Sequence, residues 1–250
     1  MNDVEGFADG AEHRVQPGRV ERTLVRLFAR KSTIDTIETL SPRFRLISFR
    51  GETLQGVTWS PGQKIQISIR GFRTARTYTP TQWDSERGIA SVLVWSHGSA
   101  PGSDWARNAE PGDECLFFGP RRSVESRYSG GRLVIFGDET TFGLACALQA
   151  VDRTRPLHLV FEVLNAKECR TVLHRMALDA DLLVERMRDE GHLTQCEQSL
   201  ARFAGMDATF ILAGRAHAIQ RISRCVKWLG VDSSRLRVKA FWTRGKTGLD

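Results

Sequence analysis

Leu133-Val134-Ile135-Phe136-Gly137-Asp138-Glu139-Thr140-Thr141 is an unbroken apolar run that ends in a glycine, two acids and two hydroxyls. A run with no polar alternation is the kind buried on both faces, as in a parallel sheet. The polar residues behind it open a helical pattern over Thr140–Val151. Strand and helix then alternate. Leu157–Val163 reads as strand, Ala180–Glu190 as amphipathic helix, Thr209–Gly214 as strand, Ala216–Leu229 as helix and Leu236–Trp242 as a last strand. This order predicts a doubly wound α/β domain, with ligands at the carboxyl ends of its strands.

Upstream the rhythm is different. Short β-type runs, Thr33–Thr39, Phe44–Arg50, Lys64–Ile69, Arg76–Thr79, Ser91–Val94 and Cys115–Phe118, are separated by turn residues such as Ser60-Pro61-Gly62 and Pro111-Gly112-Asp113. Their spacing predicts a small six-stranded antiparallel barrel. A short helix around Ser103–Asn108 interrupts it, and Val20–Arg30 reads as a preceding helix. The expected division is a flexible tail over 1–18, a barrel domain over 19–127 and an α/β domain over 128–250.

The 250 residues carry a formal charge of +7, nearly all of the excess being arginine. That balance favours anionic partners. No basic run or motif of nucleic-acid type occurs, so an anionic small molecule is expected rather than nucleic acid. No stretch approaches the roughly 20 apolar residues of a membrane span. Met1–Gly18 has no apolar core of a secretory signal, so a cytoplasmic location is expected. The 5 cysteines lack the close spacings of iron–sulfur or zinc sites and read as buried, reduced thiols. Electron transfer would therefore need an organic cofactor.

Two segments carry such a cofactor's chemistry. In Arg76-Thr77-Tyr78-Thr79 alternate side chains share a face, so a guanidinium able to hold a diphosphate lies beside a flat ring able to cover a flavin. Thr79, at the strand end, can hydrogen-bond the flavin edge. Taken alone, the tetrapeptide reads as an ordinary strand with Tyr78 packed and Arg76 solvated, and only its company with the second segment favours the flavin. The second segment, His97 to Ala106, puts small residues ahead of a helix. Gly98, Ala100 and Gly102 allow close backbone approach, and Ser103 can cap the helix or donate to a phosphate. Trp105 reads as a core anchor, and His97 as a turn histidine satisfied by backbone. Asp138 and Thr140 either cap the helix that follows them or border a flavin or nicotinamide ring. Arg215 can reach a nucleotide phosphate. Arg121-Arg122 and Arg244 with Lys246 read either as solvated clusters or as cations for an anionic substrate.

With these residues, and with Gly119-Pro120, Gly137-Asp138-Glu139-Thr140, Ala213-Gly214 and Phe241-Trp242 in order over about residues 30–246, the chain resembles the siderophore-interacting protein family. These are FAD-dependent ferric-siderophore reductases related to ferredoxin–NADP reductases. The resemblance implies a Greek-key FAD-binding barrel and an NAD(P)H-binding-like α/β domain. It implies electrons passing from NADPH, NADH or reduced ferredoxin through FAD to Fe(III) in an anionic siderophore. Arg76, Thr77, Tyr78 and Thr79 would take flavin roles, with His97, Gly98, Ala100, Gly102 and Ser103 at the phosphate and Asp138, Thr140 and Trp242 near the ring. Lys64, Arg121, Arg122, Arg244 and Lys246 would form a cationic rim for the chelate. No catalytic side chain and no metal ligand is expected. The chain departs from the family pattern at Gln66, Thr81 and Arg215. Two other functions stay open: a flavin reductase serving another redox partner, and a siderophore-binding protein without catalysis.

Overall fold

The computed structural model describes residues 29–69, 75–124 and 131–245. The expected tail, most of the expected helix Val20–Arg30, and Lys246 lie outside these residues. Ala29 and Arg30, the end of that expected helix, instead begin a strand.

The first half is an antiparallel sheet of β1 (Ala29–Ser41), β2 (Phe44–Arg50), β3 (Lys64–Ser68), β4 (Ala75–Tyr78), β5 (Pro80–Asp84), β6 (Ile89–Trp95) and β7 (Glu114–Arg121). A helix, α1 (Pro101–Asn108), joins β6 to β7. The sheet therefore has 7 strands rather than the expected six, in the order β4-β3-β7-β1-β2-β6-β5. The additional strand begins at Pro80. Proline has no N–H for a central ladder and suits the first residue of an edge strand. Consecutive strands β4 and β5 lie at opposite ends of this order, with only Thr79 between them. The sheet must curl until its two edges approach each other at Thr79, which makes it barrel-like without a closed ladder. Inside it Phe49 meets Phe117 edge-on at 4.7 Å, within a core that includes Ile47, Ile65 and Val92.

The second half is a parallel sheet of β8 (Arg132–Gly137), β9 (Leu157–Val163), β10 (Leu182–Glu185), β11 (Ala208–Arg215) and β12 (Leu236–Trp242), ordered β10-β9-β8-β11-β12. Helices α2 (Phe142–Val151) and α3 (Ala166–Arg175) bury residues in the cluster on one face. Helices α4 (His192–Ala204) and α5 (Ala216–Trp228) do so on the other. This is the doubly wound arrangement, and its order reverses between β8 and β11.

The expected helix over Ala180–Glu190 is corrected. Leu182, Leu183 and Val184 instead form β10, paired with Val160, Phe161 and Glu162 of β9. The alternating charges after Glu185 imitate an amphipathic face, but the neighbouring strand claims the apolar residues, and helix begins only at His192. Helix α3, not among the expected elements, has a local signal: Asn165 Oδ1 accepts the Glu168 N–H at 2.8 Å, an N-cap.

The two sheets are joined by packing and by ions. The rings of Phe44 on β2 and Phe142 on α2 stack with centroids 5.7 Å apart and planes at 5°. Glu168 of α3 accepts the Ser41 hydroxyl at 2.7 Å, the Arg43 N–H at 3.1 Å and Arg43 Nε at 2.7 Å. Arg175 donates to the carbonyls of Thr39 and Leu40 and pairs with Glu38.

Candidate functional site

Arg76 and Tyr78 share the less exposed face of β4, while Thr77 faces the more exposed side. The ring of Tyr78 leans on Trp105 of α1, with centroids 6.1 Å apart, and burial raises its phenol above the ordinary value. Trp105 packs at the margin of the barrel core, as expected of an anchor. Thr79 sits at the seam where the sheet edges converge.

The side chain of Arg76 crosses the start of α1. A Cβ on Gly102 would lie 3.1 Å from Arg76 Cγ, so glycine lets the arginine stem rest against the first turn of the helix. Ala100, the N-cap residue, offers no side-chain cap. A guanidinium and a helix N-terminus thus meet at one place, the ingredients of a site for phosphate oxygens. Ser103 has a different job from the expected one. It is 4% exposed, and its hydroxyl donates to the His97 carbonyl and accepts the His97 N–H, both at 2.9 Å. That reciprocal pair closes the loop through Gly98, whose φ of 59° favours glycine. His97 has its backbone satisfied, as expected, and its ring stacks on Trp95 at 4.3 Å. Partial burial, then Arg186, lowers its imidazole, with Asp138 opposing.

Near His97 lie the carboxyl ends of the paired strands β8 and β11, where a doubly wound sheet takes its ligands. Asp138 is fully buried and caps the turn after β8. Its Oδ1 accepts the Thr140 N–H at 2.9 Å and the Thr140 hydroxyl at 2.5 Å, and its Oδ2 accepts the Trp242 indole N–H at 2.8 Å. Burial raises this carboxyl, while the bonds from Thr140, the charge of Arg186 and the bond from Trp242 pull it down. Asp138, Thr140 and Trp242, separate candidates in sequence, are therefore one hydrogen-bonded unit. Gly214 completes it: a Cβ there would lie 2.6 Å from Asp138 Oδ2, and its φ is 111°.

Two ion-pair groups flank this unit, and neither was expected. Glu139, 2% exposed, receives Arg186 through Nη1 at 2.7 Å and Nη2 at 2.8 Å. The same guanidinium carbon lies 5.6 Å from the Trp95 ring centroid. Arg215 does not stand open for a phosphate. Its fork is filled by Glu162 and Glu190. Glu162, Glu190 and His192 hold their ligand atoms within 4.8 Å of one another, a spacing suited to a metal ion. Arg215 supplies the positive charge at that point instead.

On the barrel, Lys64 of β3 and Arg121 of β7 are register partners, so two rim cations are brought side by side. Exposed Arg122 follows directly. Arg244 is exposed in the turn after β12, on the other sheet. Cys115, Cys146, Cys169 and Cys196 are buried and free, with their thiols pushed up to about 12 by burial, in line with inert reduced cysteines. Among the described residues no helix is long and apolar enough to cross a membrane.

Two family models match this chain. The siderophore-interacting FAD-binding domain matches residues 70–124 and the siderophore-interacting protein model matches residues 131–245. Solved structures share the fold. A siderophore utilization protein from T. fusca superposes with TM-score 0.69 at 19% identity, covering 89% of this chain and 95% of its own. The siderophore-interacting protein SipS from Aeromonas hydrophila gives 0.70 at 20% identity, covering 88% and 93%. A ferredoxin reductase in carbazole 1,9a-dioxygenase gives 0.71 at 16% identity, covering 86% of this chain and 69% of that one.

Proposed function

The chain belongs to the siderophore-interacting protein family, and on that premise we propose that it is a cytoplasmic FAD-dependent reductase of ferric siderophores. The family's FAD-binding domain supports flavin-dependent electron transfer as the broader statement. The observation that carries the flavin part of this reading is the meeting of Arg76 with the uncapped first turn of α1 at Gly102. A diphosphate needs charge and N–H donors together, and this place offers both.

In this reading Arg76 and the α1 turn, with Gly98 and Ala100, hold the diphosphate. Tyr78, Thr77 and Thr79 line the flavin at the barrel seam. Ser103 serves indirectly, by fixing the His97 loop. Asp138, with Thr140, orients Trp242 toward the same space. FAD, when bound, supplies a carrier that passes electrons to chelated Fe(III). Lys64 and Arg121, with Arg122, Arg244 and Lys246, attract the anionic ferric siderophore, which is the substrate. Reduction to Fe(II) weakens its hold on hard oxygen ligands. The donor is a reduced nicotinamide or a ferredoxin, and the two domains divide near residues 127 and 128.

The experiment is an absorbance spectrum of the purified protein before and after reconstitution with FAD. A flavin spectrum with bound stoichiometry near one supports the reading. A protein that stays colourless after reconstitution refutes it and leaves a binding protein.

A further inference from the structure

A doubly wound sheet offers its ligand crevice where the strand order reverses, here between β8 and β11. In this chain a closed net of charge lies at that mouth. Arg215, the last residue of β11, places Nε 2.7 Å and Nη2 2.6 Å from the two oxygens of Glu162. The same group places Nη1 2.6 Å and Nη2 2.5 Å from the two oxygens of Glu190. Both faces of its fork are therefore filled.

The partners of Arg215 are themselves fixed. Glu162 is 1% exposed and also meets His192 Nε2 at 2.7 Å. The other ring nitrogen of His192 accepts the Met187 N–H at 3.1 Å, so the proton sits on Nε2 and points at Glu162. Glu190 reaches the arginine from a left-handed backbone with φ of 61°, costly for a residue other than glycine. Its carbonyl is held by Arg221 Nη1 at 3.3 Å. Next to this net, Arg186 is held bidentately by Glu139. Arg186 and Arg215 are thus both taken up by carboxylates, Glu139 for the one and Glu162 with Glu190 for the other, while His192 also faces Glu162 and His217 Nδ1 lies 4.0 Å from Glu190. A dinucleotide diphosphate needs donors that are not already paired, and like charge repels it.

We propose that Arg215, clamped between Glu162 and Glu190, is a specificity-determining residue that closes this crevice to pyridine dinucleotides. The closure rests on the reductase reading only for its consequence, that the electron donor is then a reduced carrier protein rather than a nicotinamide.

The test is isothermal titration of the FAD-loaded protein with NADPH and NADH, for the wild type and for Glu190→Asn and Glu190→Gly. Both replacements tolerate a left-handed backbone and free one side of the arginine fork. The expected result is no saturable binding to the wild type up to about 1 mM, and NADPH binding about tenfold or more tighter in both variants. Saturable binding of NADPH or NADH to the wild type below about 1 mM would overturn the proposal. So would variants with unchanged circular dichroism that bind no better than the wild type. Because binding is read directly, the result does not depend on ferric-chelate turnover.

Discussion

The indole Nε1 of Trp242 donates to Oδ2 of Asp138 across 2.8 Å, tying the end of the last strand to the turn after the first strand of the parallel sheet, 104 residues away. The bond fixes the indole at the carboxyl end of the parallel sheet, and it makes the protonation of a buried carboxyl bear on the position of an aromatic ring. Burial raises Asp138, so its folded form binds a proton more readily than its unfolded form. The stability this lends is present below the ordinary carboxylate range and is lost as pH rises through the raised folded value. Asp138→Asn keeps an acceptor for the indole and cannot titrate. Urea unfolding across acidic to neutral pH is expected to show the wild type losing stability relative to Asp138→Asn as pH rises. Parallel curves would show that Asp138 does not titrate as its burial demands.

Gly214 faces the same carboxylate. A Cβ there would stand 2.6 Å from Asp138 Oδ2, on a backbone with φ of 111°. Gly214→Ala is expected to cost about 3 kcal/mol of unfolding free energy, combining backbone strain with displacement of a buried acid. Denaturant unfolding measures it, and a loss below about 1 kcal/mol would mean that the Asp138 turn yields readily.

The joint between the two sheets has its own signature. Burial pushes Glu168 up, but the bonds from Arg43 and Ser41 outweigh it and hold the carboxyl below its usual range. Its stabilisation is therefore present above the ordinary glutamate value and lost as pH falls through the lowered folded one. Glu168→Gln is expected to cost about 2 kcal/mol at neutral pH, with the difference from the wild type shrinking on acidification. Thermal unfolding at both ends of that range checks the sign.

Arg76 carries the cofactor reading. Arg76→Ala is expected to weaken FAD binding by roughly 30-fold, equivalent to about 2 kcal/mol for lost charge-assisted hydrogen bonds. The unfolding midpoint of the FAD-free protein should change little, because the side chain is part-exposed at a sheet edge. Titration of that protein with FAD, followed by flavin fluorescence, gives the number. Equal affinity would move the diphosphate elsewhere.

Much of this was legible in the sequence where the signal is local. Phe44–Arg50, Leu157–Val163 and Leu236–Trp242 are strands with the bounds their apolar runs suggest. Arg76 and Tyr78 share a face because strand geometry requires it. Pro80 was harder, since a proline that ends one strand pattern also begins β5 on the opposite edge of the sheet. Residues 180–190 carry a charge alternation after Val184 that resembles a helix face, whereas pairing with β9 decides the structure. The ion pairs at the crevice had no local signal. Arg186 and Glu139 are 47 residues apart, Arg215 and Glu162 are 53 apart, and only the doubly wound topology brings their strand ends together.

The most direct measurement is anaerobic photoreduction of the FAD-loaded protein followed by rapid mixing with a ferric siderophore. The account predicts that the flavin absorbance returns as Fe(II) appears, two irons for each flavin reoxidised, and that Lys64→Ala with Arg121→Ala raises the siderophore concentration needed without altering FAD content. A reduced flavin that stays reduced in the presence of every ferric siderophore offered, yet reoxidises with another acceptor, would contradict it.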